Sequence, residues 1–186
     1  MFSLKPLALY FLFGFGILST FAIPRDAPRA NADDDTLLDI IQALNTSLAG
    51  PLEQLGSLTP STANPQTVGP IVDTMHSSFN VAVQQLATCT GNCTGGGLGD
   101  VLSAVGSLVN EVLQVVATVI DVVDGIVGVL GPFLLDIGDD LENIVNSLTG
   151  ATGSSDVVTN SLASSLSGDT DTMKIMAPGL LNLLGL

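Results

Sequence analysis

The chain has 186 residues, 46% of them apolar and only 12% charged, with 18 Asp and Glu against four Lys and Arg and a formal charge of −14. Between residues 30 and 173 there is no Lys or Arg, so a basic footprint for a phosphate backbone or an anionic bilayer is missing and nucleic acid is excluded as a partner. The acidity is read as what keeps an apolar chain soluble and apart from its own copies.

In chain order, "MFSLKP" with Lys5 precedes an apolar run from Leu7 to Leu18 and the small residues Thr20 and Ala22. This is the layout of a signal peptide, residues 1–22, cleaved after Ala22. The run is too short to span a bilayer, and Asp121, Asp124 and Asp136 interrupt the most apolar region downstream, so no transmembrane span is expected. Residues 23–33 read as a flexible N-terminal segment, 34–168 as one helical bundle domain, and 169–186 as an apolar C-terminal tail.

The first helix follows from Leu37, Ile41, Leu44, Leu48, Leu52 and Leu55, spaced by three and four, with Asp34 or Asp35 as its cap. After a proline-bearing loop, Asn64 and Pro65 form an N-cap and first helical residue. Helix two then runs to about Thr88, with Val72, Met75, Phe79, Ala82 or Val83, and Leu86 inward. Leu98, Leu102, Val105, Val109, Val112, Val116, Val119, Val123, Ile126 and Leu130 continue the period through a third helix, which would be about 50 Å long from 98 to 130. Gly125 and Gly128 can bend or shorten it. A second stripe, including Val101, Leu108 and Val115, widens its apolar face to one suited to a bundle centre. Gly131 and Pro132 read as a break. A fourth helix over Leu134, Ile137, Leu141, Ile144 and Leu148 follows, then a fifth from about Ser155 to Ser167. The expected class is all-α, a four- or five-helix bundle with a long central third helix.

Chemistry-bearing residues are sparse. Cys89 and Cys93 in "CTGNC" lack the second pair or the histidines of a zinc site and read as a local disulfide of an exported chain. Sequons place N-glycosylation at Asn45 and Asn92, of which Asn92 lies in a loop and Asn45 beside an inward leucine. His76, the single histidine, reads as a helix-surface or boundary residue, and "DDLE" at 139–142 as solvated acids. No nucleophile elbow, phosphate-binding glycine loop or calcium loop occurs. No catalytic residue, cofactor or metal is therefore assigned, and the chain is not expected to be an enzyme. The tail admits one further reading, a lipid-anchor signal attached near residues 165–169. Against it stand a spacer shorter than the usual ~8–12 residues and the interruptions at Pro178 and Asn182.

A leader, a leucine-periodic first helix in "DDDTLLDIIQALNTSLAGPLEQL", a proline-bearing spacer and several Val-, Ala- and Leu-rich helices without lysine resemble the fungal hydrophobic-surface-binding protein family, which includes cell-wall galactomannoproteins. The resemblance spans residues 34 to about 168 and is one of layout. It implies a secreted helical bundle that associates with hydrophobic surfaces or the cell wall, some members resembling lipid carriers, with no catalytic set.

Three functions are open from the sequence. The first is a secreted helical-bundle protein, extracellular or in the cell wall, that takes up a fatty acyl chain or adsorbs to hydrophobic surfaces, with Val105, Val109, Val112, Val116 and Val119 lining the apolar site. The second is a non-catalytic structural wall or matrix glycoprotein. The third is a hydrolase of unrecognised type, which would need a cleft joining His76 to a serine and an acid.

Overall fold

The computed structural model describes residues 36–89, 97–122 and 126–186; for 122 and 126–129 only the backbone is described. The expected signal peptide at 1–22, the segment 23–33, Asn92 and Cys93 lie outside the described residues.

Seven helices occur among the described residues: α1 (Leu37–Gly56), α2 (Pro65–Thr88), α3 (Leu98–Val122), α4 (Ile126–Thr152), α5 (Ser155–Leu166), α6 (Thr170–Met176) and α7 (Pro178–Leu184). This corrects the expected four- or five-helix bundle. The two additional helices come from the C-terminal segment, whose Met173, Met176, Leu180 and Leu184 are all buried. Side chains so apolar are stabilised by folding back on the core rather than by trailing into water.

Local signals explain the helix ends. Thr36 caps α1: its hydroxyl accepts from the Asp39 N–H at 3.2 Å, and the Asp39 carboxylate accepts from the Thr36 N–H at 3.1 Å. This reciprocal box satisfies two otherwise orphaned donors, so Thr36, rather than Asp34 or Asp35, holds the first turn. At α2 the Asn64 side chain accepts from the Thr67 N–H at 3.1 Å with Pro65 at the first helical position, as the sequence predicts. Gly153 and Gly185 adopt φ of 63° and 69°, the left-handed conformation that terminates α4 and α7 at little cost only in glycine.

The long third helix is a second correction. Among the described residues α3 covers the 25 of Leu98–Val122 and α4, a separate helix, the 27 of Ile126–Thr152. The apolar row that continues through Leu130 in sequence is thus shared between two helices. Divided, the row still buries Leu130 completely. Gly131 and Pro132 lie inside α4 instead of breaking it. An interior proline costs about 3 kcal/mol; the complete burial of Leu134, Ile137, Leu141 and Ile144 on the same helix, at roughly 1.5–3 kcal/mol for each such side chain, offsets that cost.

α1 packs between α2 and α3, α4 packs on α2, and α5 bridges α3 and α4, so the five longer helices close a ring around one core that α6 and α7 cover from the α4 side. A Cβ placed on Gly69 of α2 would lie 3.7 Å from the Phe133 ring of α4, and His76 meets Asp140. Both contacts advance by seven residues on each helix, so α2 and α4 run parallel. The C-terminal crossing is close: a Cβ on Gly138 would overlap the Met176 carbonyl, and one on Gly179 the Glu142 carboxylate.

Candidate functional site: two furrows flanking helix α2

The helix α2 borders two concavities. The first, about 340 Å³, lies along α1, lined by Ala43, Leu44 and Ser47 of α1 and by Ser78, Val81 and Ala82 among others of α2. Six of its nine lining residues are Ala, Ser or Thr. Its hydroxyls are spent within their own helices: Ser47 donates to the Leu44 carbonyl, Ser77 to Asp73, Ser78 to Thr74 and Thr74 to Pro70, at 2.8–3.1 Å. Satisfied in this way, they ask little of a ligand. Val81 on the rim is 56% exposed.

The second, about 290 Å³, lies along α4 and is lined by His76 and Asp73 of α2 with Asp136, Asp139, Asp140 and Asn143 of α4. Nδ1 of His76 is 2.9 Å from each carboxylate oxygen of Asp140. The imidazole is half exposed, whereas Asp140, 4% exposed, is the single buried polar or charged residue among those described. Burial holds the Asp140 carboxyl above the usual carboxylate range; the hydrogen bond and charge of His76 oppose this, and Asp136 and Asp139 reinforce it. "DDLE" is therefore not uniformly solvated, since Asp139 is exposed and Asp140 is not. The available signal was position: Asp140 follows Ile137 by three and precedes Ile144 by four, within the core-facing row of α4.

The pair has the form of a catalytic dyad without its neighbours. Ser77 and Ser78 donate to carbonyls of their own helix and line the other furrow. Among the described residues Lys174 is the sole Lys or Arg, and it pairs with Asp171 at 2.8 Å. The cleft thus joins His76 to an acid and not to a serine, and has no cation to stabilise an oxyanion. No group of three His, Cys, Asp or Glu suited to a metal ion occurs among the described residues.

The five valines singled out in the sequence, Val105, Val109, Val112, Val116 and Val119, come together as expected on one face of α3, all at most 2% exposed. They belong to the packed core, and neither furrow is lined by any of them. Over Leu98–Asp121 this helix is long and apolar enough, by length and composition, to cross a membrane; in the fold its apolar rows meet α1 and α5. Asn45 is exposed on α1. Cys89, at the C-cap of α2, is 4% exposed and is not a free thiol. Cys93, the other cysteine of the chain, lies outside the described residues, so no disulfide with both halves is found among them.

No family model matches the chain, and neither does any curated protein or solved structure.

Proposed function

We propose that the chain is an exported binding module that takes up a long-chain apolar ligand, or adsorbs to a hydrophobic surface, through the furrow between α1 and α2. The observation that carries this reading is the furrow itself, whose volume of about 340 Å³ falls within the range of small-molecule sites and whose hydroxyls are already satisfied within their own helices. Each methylene moved there from water contributes about 0.8 kcal/mol before ordering costs. The site differs from the valine face of α3, which the core already uses. The reading agrees with what the resemblance to hydrophobic-surface-binding proteins implies, and it places the module outside the cell or in its wall.

The test is native mass spectrometry of the delipidated chain after addition of fatty acids of several lengths, paired with adsorption to hydrophobic particles. Uptake or adsorption is expected, together with a loss of about tenfold in Val81→Asp, equivalent to ~1.4 kcal/mol of contact. A chain that gains no fatty acid and stays off the particles overturns the reading, and the structural wall or matrix glycoprotein takes its place.

A further inference from the structure

We propose that the His76–Asp140 contact is a proton-operated latch on the α2–α4 seam, tightened when the Asp140 side chain takes up a proton and slackened when it releases one. The observations are geometric. The seam is the broadest helix pair in the fold, and it carries the one buried ionisable side chain among the described residues. That carboxyl stands between Ile137 and Leu141, both fully buried, with His76 as its hydrogen-bond partner.

The surrounding charges set the direction. From α2 the seam receives His76 and Asp73, and from α4 itself Asp136 and Asp139. Of the other helices packed on α4, α3 carries Asp100, Glu111 and Asp121, α5 carries Asp156, α6 carries Asp171 and Lys174 in a mutual surface pair, and α7 has no titratable side chain. α1, packed on α2, carries Asp39 and Glu53. Around Asp140 a single histidine therefore stands beside several acidic side chains. An ionised Asp140 must be held out of water beside Asp136 and Asp139. A protonated one is neutral and escapes that cost, and its carbonyl oxygen still accepts from the imidazole.

Burial raises the folded-state pKa of Asp140 above the ordinary 3.8. Its contribution to stability is then fully present below that ordinary value and is lost as pH rises through the raised one. The seam is firmest in acid and slackest at neutral pH, the reverse of a salt bridge that acid dissolves.

Denaturant unfolding of the purified, ligand-free chain from pH 3 to 7, beside Asp140→Asn and His76→Gln, tests this without reference to any apolar ligand. D140N imitates the protonated carboxyl, and comparison with it cancels the general relief of self-repulsion in acid. The wild-type midpoint is expected to fall relative to D140N as pH rises and then to level off. In H76Q, which removes the counter-charge but can still donate a hydrogen bond, the fall should move to higher pH. Carbon-13 titration of the Asp140 carboxyl should show it protonating above the ordinary 3.8. A gap between wild type and D140N that is constant across the range, or an Asp140 that titrates at or below the ordinary 3.8, overturns the latch.

Discussion

The two sides of α2 solve the same packing problem differently. Toward α1 the helix presents small residues and hydroxyls bonded to its own carbonyls, and an open furrow remains. Toward α4 it presents His76 to a buried carboxylate within an apolar seam. Satisfied hydroxyls cost little whether wet or dry, so the α1 side can exchange solvent for a ligand. A buried charge is costly unless its partner stays in place, so the α4 side responds instead to protons.

That contrast is open to direct attack. The largest effect is expected from Leu141→Ala, which leaves a cavity beside Asp140 where a side chain is fully buried; denaturant unfolding should show a loss of about 2–5 kcal/mol. Gly138→Ala ranks next, because a methyl there meets the Met176 carbonyl. Overpacking of this kind costs about 1–3 kcal/mol, and hydrogen exchange should place the loosening in α6 and α7 while leaving α1 protected. Removing the imidazole by His76→Ala leaves a buried carboxylate without its partner, with an expected loss of about 1–3 kcal/mol at neutral pH. On the furrow side, Val81→Asp should change stability by no more than about 0.5 kcal/mol while reducing apolar uptake, a separation the α4 seam cannot show.

The smallest effect compares two acids of opposite sign. Hydrogen bonds from the Thr36 side chain and backbone hold the Asp39 carboxyl below its ordinary value. Its contribution is present above the unfolded value of 3.8 and is lost as pH falls through the lowered folded one. Acid should therefore fray the first turn of α1 while it tightens the α2–α4 seam, and amide chemical shifts at Asp39 and Asp140 followed from pH 6 to pH 2 will show whether the two ends of the core part company.

Much of this architecture was legible from spacing alone. The leucines of α1, the Asn64–Pro65 start of α2 and the valines of α3 lie where a period near 3.6 puts them, because burying one face of a helix requires only neighbours in the same helix to agree. Pairing of helices has no such local signature. His76 and Asp140 are 64 positions apart, on helices that run parallel only because α3 intervenes and α4 returns alongside α2. The apolar row through residue 130 looks continuous for the same reason: periodicity records which side chains need burial, not which helix will cover them. The C-terminal residues carried apolarity enough to be noticed, yet their fold depended on a bare Gly138 backbone letting Met176 approach. The sequence by itself thus determined helices, their inward faces and an acidic exterior, since these follow from local sterics and the transfer of side chains from water. The tertiary structure alone decided that the long apolar row is shared between α3 and α4, that α2 borders two unlike furrows, and that one of four aspartates near His76 is buried, since each depends on which distant surfaces meet.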